Sequence, residues 1–166
     1  MIVISDATPI ISLLKANHME LLQSLYGNVL IPKAVYRELT ENPVYSKEAK
    51  TIKTLDFLKI VSVENEKSVD VLRSVTGLDV GESEALIMYD EQNADLLLMD
   101  EHKGRSVARQ LNVRHIGTVG ILMLAYDKGL IQSLDVKLCL DMMLASGIRL
   151  DKKLCNVVLE HVGLLS

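Results

Sequence analysis

Four acidic residues, Asp6, Glu38, Glu82 and Asp100, sit where a folded chain can gather carboxylates: beside the ends of apolar runs or the starts of helical patterns. Carboxylates sharing one crevice raise each other's pKa, and a divalent cation relieves the repulsion. Carboxylate oxygens suit Mg²⁺ or Mn²⁺, ions that keep several waters and take phosphate oxygens as further ligands. Such a set supports metal-assisted hydrolysis of a phosphodiester, in which one ion lowers the pKa of a water and a second stabilises the leaving oxygen. Each acid also has an ordinary reading. Asp6 and Asp100 can be turn or capping residues, Glu82 can answer Asp79 in a capping box, and Glu38 can be a solvated helix residue. Against the last, the neighbours of Glu38 at three and four steps are Ala34, Val35, Glu41 and Asn42, so its own helix offers no basic partner.

The elements around these acids follow from hydrophobic patterning. Residues 2–4 are a β-branched apolar run, read as a strand buried on both faces. Asp6 comes next, then Thr8 as an N-cap and Pro9 in the first turn of a helix. That helical pattern runs over 9–26 with a break at Asn17-His18. A second strand covers 29–31 and is closed by Pro32. The helix carrying Glu38 follows and stops at Asn42-Pro43. A charged helix over 46–58 is capped by Ser46, and a third strand covers 59–63. A helix over 66–75 ends at Gly77, and another runs from its cap Asp79 to about Gln92. Residues 94–99 form a strongly apolar strand with Asp100 at its carboxyl end. A helix over 104–111, a strand over 113–116 and a helix from Gly117-Thr118 to Lys128-Gly129 complete the alternation.

Strand–helix alternation of this kind calls for a central parallel sheet with helices on both faces, a three-layer α/β/α arrangement. Parallel strands carry Asp6 and Asp100 to one edge, and in open α/β sheets the ligand crevice lies outside the carboxyl ends of the strands. After Ser133 the strands stop. Helices over 133–145 and 151–162, joined by Ser-Gly-Ile-Arg, form a C-terminal helical hairpin.

The chain of 166 residues is read as one compact unit with an aliphatic core, since it has one Phe and no Trp. No apolar run approaches the ~20 residues of a membrane span. Asp6 interrupts the N-terminal apolar stretch too early for a signal peptide. Two late cysteines, Cys139 and Cys155, fit buried thiols in a reducing cytoplasm. A net charge of −4 argues against bulk electrostatic binding of nucleic acid but leaves room for a local basic patch. Lys103, Arg105, Arg109 and Arg114 follow Asp100 closely and are placed either to hold an RNA backbone or to form an ordinary charged helix. Thr8 and Ser12 are candidates to orient Asp6 or a metal-bound water. The Gly-rich phosphate loops of nucleotide-binding folds are absent. So is the acidic pair after the first strand that a phosphoacceptor receiver would carry.

The order of three stretches is similar to the PIN-domain nucleases, a family that includes the VapC-type toxins of toxin–antitoxin pairs. These are IVISDATPIISLL, VLIPKAVYREL and GLDVGESEALIMYDEQNADLLLMDE, followed by DExxGRxxA- and IGTxG-like segments. The resemblance covers residues 1–131, with 132–166 as a helical extension packed on the same unit. It implies a PIN-like fold and a divalent-metal-dependent endoribonuclease using Asp6, Glu38, Glu82 and Asp100 with Mg²⁺ or Mn²⁺. Gap-free spacing selects Glu82 for the helix position; the family's acid-Ala pair fits Glu84-Ala85, which makes Glu84 the substitute. Lys103, Arg105 and Arg109 are the matching RNA-binding candidates. Further implications are an RNA substrate, an antitoxin protein as partner, a homodimer and a cytoplasmic location. The sequence departs from the toxins in having Glu on the middle helix and Glu101, His102 and Lys103 after Asp100, where they carry Asp-Phe. The alternative is therefore a catalytically weak PIN-like module that binds protein or RNA.

Overall fold

A computed structural model describes residues 1–166. Its strands are β1 (Val3–Ser5), β2 (Val29–Pro32), β3 (Leu58–Val61), β4 (Leu96–Leu98) and β5 (His115–Ile116). All pair in parallel, in the order β3-β2-β1-β4-β5. The helices are α1 (Ala7–Lys15), α2 (Glu20–Tyr26), α3 (Lys33–Glu41), α4 (Ser46–Ile52), α5 (Glu66–Thr76), α6 (Val80–Glu91), α7 (His102–Gln110), α8 (Thr118–Asp127), α9 (Ser133–Ala145) and α10 (Lys152–His161), with a 3-10 turn at Pro43–Tyr45.

Side chains alternate across a strand, so a strand apolar at every position must be covered twice. Val3, Leu96 and Leu98 belong to one apolar layer, shared with Ile10 and Leu13 of α1, Ile121 of α8 and Leu140 of α9. Ile4, Leu97 and Met99 belong to the other, shared with Leu86 and Met88 of α6 and Val107 of α7. The three-layer α/β/α arrangement expected from the alternation is the fold observed. The C-terminal hairpin is part of the first layer, to which it contributes Val136, Cys139, Met143, Val158 and Val162. No helix is long and apolar enough to cross a membrane.

Strand order reverses between β1 and β4, which makes their carboxyl ends the switch point where α/β sheets open a crevice. The register Val3↔Leu96, Ile4↔Leu97, Ser5↔Leu98 brings Asp6 level with Met99. The Asp6 amide donates to Leu98 O at 3.0 Å, which extends the pairing by one step.

Some local expectations are corrected. α1 begins at Ala7, so Asp6 and not Thr8 holds the N-cap position. The charged helix stops at Ile52 and not near residue 58, because Thr54 and Leu55 fold back on Thr51 and Ile52 and turn Phe57 into the core. Ser46 is the first residue of that helix, and Tyr45 precedes it. The helix after Asp100 starts at His102, two residues early. Gly104 lies in its first turn, where a Cβ would stand 2.7 Å from Met99 Sδ. The break at Asn17-His18 is found, with Asn17 at φ 57°.

Candidate active site

Asp6 leaves β1 directly at the crevice and is 3 % exposed. It stands at the N-cap of α1 yet makes no side-chain capping bond, so its carboxylate is not used to close the helix. Burial raises its pKa well above the ordinary 3.8. The Ala7 amide opposes this, while Asp79, Glu82 and Glu38 push the same way as burial.

Glu38 comes from α3, one helical turn after buried Val35 and next to buried Leu39, so it borders the packed side of the helix. Its carboxyl is also raised, first by burial and then by Asp79, Glu82 and Glu101. Glu82 is the N3 residue of α6 and 6 % exposed. It closes a reciprocal capping box: the Asp79 amide donates to Glu82 Oε2 at 3.0 Å, and the Glu82 amide donates to Asp79 Oδ1 at 2.8 Å. Burial raises the Glu82 carboxyl; the Asp79 amide opposes it, and Asp79 and Glu101 add to it. The box therefore serves both readings of Glu82, since it ends the helix and fixes the acid in the crevice.

α3 and α6 meet closely here. A Cβ on Gly81 would lie 3.5 Å from Glu38 Oε2 and 3.5 Å from Asp79 Oδ1. Glu84 takes a different direction, accepting the Ala34 amide at 3.0 Å and closing the start of α3. Of the two candidates on α6, Glu82 is the one whose charge is felt at Asp6.

Asp100 lies on the same sheet edge but faces β5 and α8. Its Oδ1 accepts the Thr118 amide at 2.7 Å and its Oδ2 the Thr118 hydroxyl at 2.6 Å. Burial raises its pKa, and the Thr118 bonds and the Arg105 charge lower it. Gly117 makes room for this arrangement: a Cβ there would stand 2.9 Å from Asp100 Oδ1 and 2.5 Å from Arg105 Nη1. The crevice thus brings Glu38 and Glu82 near enough to raise Asp6, and Glu82 near enough to raise Glu38, with Asp100 beside them on a separate support.

Residues 2–164 match a family model described as a PIN domain. The chain belongs to the PIN-domain family. No curated protein matches it. The match extends through the C-terminal hairpin, beyond the stretch over which the sequence motifs carry the likeness.

This PIN domain, a nuclease fold, has an acid set made only of carboxylate oxygens, the donor chemistry of Mg²⁺ and Mn²⁺. Neither Asp6, Glu38, Glu82 nor Asp100 takes part in any of the chain's four ion pairs. Burial beside like charges, with only Lys103 acting on Glu82 and Arg105 on Asp100 from a distance, is an electrostatic situation that a divalent ion relieves. No three of the His, Cys, Asp and Glu side chains are grouped closely enough to form a cage. An ion here would therefore be held directly by no more than two of these carboxylates at once, with waters completing its shell.

Two acids escaped the sequence reading as site members. Asp79 was legible as a cap, yet it also raises Asp6, Glu38 and Glu82; Glu101 raises Glu38 and Glu82. Only the convergence of α3, α6 and the β4–α7 turn makes them neighbours. The basic residues divide as well. Lys103 Nζ donates to Gly77 O at 3.2 Å, on the αL residue that ends α5, and its charge lowers Glu82. Arg105 Nη1 donates to Met99 O at 3.4 Å and faces Asp100. Arg109 is exposed on the last turn of α7 and makes no side-chain bond.

Proposed function

We propose that this PIN domain is a divalent-metal-dependent endoribonuclease using Mg²⁺ or Mn²⁺. The observation that carries the reading is the set of Asp6, Glu38 and Glu82, buried or half-buried, each raised in pKa by burial and by neighbouring acids, and none of them in an ion pair. In this reading these three would hold the ion, directly or through its waters, and Asp100, steadied by Thr118, would orient a further water or the leaving oxygen. The ion would supply a lowered pKa to its water and charge for the phosphate. Lys103 and Arg105 flank the acids and hold the phosphate backbone, a contact that positions without reading sequence. Arg109 would act only on a strand that continues along α7.

A toxin-like role with an antitoxin partner rests on the likeness of the motifs to VapC-type toxins. A homodimer rests on the apolar residues left exposed on α9 and α10. The free thiols Cys139 and Cys155, with burial pushing Cys139 up to about 12, suit a reducing cytoplasm. A second reading, a weak module that binds RNA or protein, is favoured by the engagement of Asp100 with Thr118 in place of the other acids.

The deciding experiment is cleavage of single-stranded RNA with added Mn²⁺ by wild type and Asp6→Asn. Loss of cleavage in the variant supports the nuclease. Equal cleavage by both means the activity lies elsewhere, and RNA or partner binding with no cleavage by either selects the binding module.

A further inference from the structure

A cleft of about 920 Å³ opens beside the acids, walled by α1, the Pro43–Tyr45 turn, the start of α7, the β5–α8 junction and the α9–α10 loop. Its volume lies within the ~300–1,000 Å³ of pockets that bury small organic ligands. Asp100 and Glu101 stand at its border with the acid group, so whatever fills it lies next to the proposed reaction centre.

The lining is chemically specific. Ser12 is 1 % exposed, yet its Oγ has no hydrogen-bond partner although it lines the cleft. Buried hydroxyls are nearly always bonded, so an orphan in the wall of a cavity is one that a polar group entering the cavity can answer. Tyr45 is half-buried and lines the same space. Glu38, Glu48, Asp6 and Glu101 all add to the burial that raises its phenol, so the ring lies within reach of the acids' charge. Arg105 lines the near wall, and Arg149 of the α9–α10 loop lines the far wall in no ion pair. His115 Nδ1 donates to Val113 O at 2.9 Å, which leaves its Nε2 free as an acceptor in the neutral ring.

We propose that this cleft binds the nucleotide flanking the scissile phosphate of single-stranded RNA, with its base on Tyr45, a polar group on Ser12 Oγ and its backbone between Arg105 and Arg149. The assignment rests on the nuclease reading for its position along the strand. An aromatic face, a buried hydroxyl and two guanidiniums match a splayed-out nucleotide. A duplex keeps its bases stacked inside and cannot offer one to a cleft. The α9–α10 loop thereby becomes part of the substrate site through Arg149.

The test is binding of a fluorescein-labelled single-stranded RNA, followed by anisotropy in Mg²⁺, in an Asp6→Asn background that removes cleavage. Tyr45→Leu keeps apolar packing and loses the aromatic face, and should weaken binding roughly tenfold, the scale of one base–aromatic stack. Tyr45→Phe should bind within about twofold of the background, a rescue that a merely structural role for the hydroxyl would not give. Arg149→Ala, on an exposed loop, should weaken binding several-fold and flatten its salt dependence. Duplex RNA of the same sequence should bind more weakly than the single strand. Affinities unchanged in Tyr45→Leu and Arg149→Ala, no binding by the background, or a preference for duplex would each overturn the proposal. Wild-type cleavage in Mn²⁺ is read separately. If it is absent while the variants still lose binding, the nuclease reading fails and the cleft stands. If it is present with KM unchanged in Tyr45→Leu, the cleft fails and the nuclease reading stands.

Discussion

Asp100 grips Thr118 twice, taking its amide at 2.7 Å and its hydroxyl at 2.6 Å. The pairing fixes the second residue after β4 to the first residue of α8, across the strand β5 that lies between them in sequence. Asp100 is therefore held on the crevice edge by α8 and not by the other acids. Thr118→Val keeps the shape and removes one of the two bonds, leaving a partly buried carboxylate oxygen unanswered. It should cost about 1–3 kcal/mol in stability. It should also lower cleavage, because the carboxylate is freed to rotate. Thr118→Ser should recover both. Denaturant melts and Mn²⁺-dependent cleavage check this; full activity in a destabilised Thr118→Val would limit Asp100 to a structural role.

Asp6 gives a pH prediction whose sign follows from its raised pKa. In the unfolded chain its carboxyl titrates near 3.8, and in the folded chain above that. Between the two values the folded protein holds the extra proton, so stability falls as pH rises through the interval. Glu38 and Glu82, raised above 4.5, act in the same direction. With EDTA present, Asp6→Asn should therefore melt higher than wild type, by a margin that widens as pH rises from the unfolded carboxyl's 3.8 toward the raised folded value. Mg²⁺ or Mn²⁺ should raise the wild-type Tm, since a ligand of the native state alone stabilises it by about 2.7 kcal/mol at a hundred times its Kd. The rise should shrink in Asp6→Asn. A wild type indifferent to both metals would remove the ion from this site.

Much of this was legible in the sequence, and the reasons are local. β1 and β4 read as unbroken apolar runs because both faces are covered, and their parallel pairing alone puts Asp6 and Asp100 on one edge. The Asp79–Glu82 box was visible from its spacing. What stayed hidden depends on packing between distant segments. Nothing near Thr118 in sequence announces Asp100 as its partner, 18 residues away. Nor does the sequence reveal that Glu48 is tied to Lys15 at 3.0 Å, 33 positions away. Exposed Glu160, which forms no ion pair, is a suitable surface-acid control: Glu160→Gln should change neither cleavage nor the response to metal.

The two acids of α6 should separate cleanly. Glu84 closes the start of α3 by accepting the Ala34 amide. Glu84→Ala should lose about 1 kcal/mol of stability with little change in cleavage or in the response to metal. Glu82→Gln retains an oxygen for the Asp79 amide, so the capping box survives while the charge goes. It should fold normally and lose both cleavage and most of the metal-induced rise in Tm. The opposite pattern would move the site half a turn along α6, to the position the family's acid-Ala pair favours.

The C-terminal hairpin supplies the last prediction. Its apolar residues exceed what a small domain easily buries, but the structure divides them. Leu140, Met143 and Val158 are consumed in the core that contains β1, while Leu134 and Leu138 of α9 remain 70 % and 55 % exposed and Val157 of α10 53 % exposed. Leu134 and Leu138 are one helical turn apart and share a face. Contiguous exposed apolar side chains of this kind mark contact surfaces, and a self-complementary two-fold pairing is the commonest way for identical chains to cover them. Light scattering at micromolar concentration should give a dimer mass. Leu134→Glu with Leu138→Glu should give a monomer whose Tm at low concentration is unchanged, because neither side chain contributes to the core. A wild-type monomer mass would show that the patch is not covered by a second copy. A double variant that still dimerises would move the interface to another face.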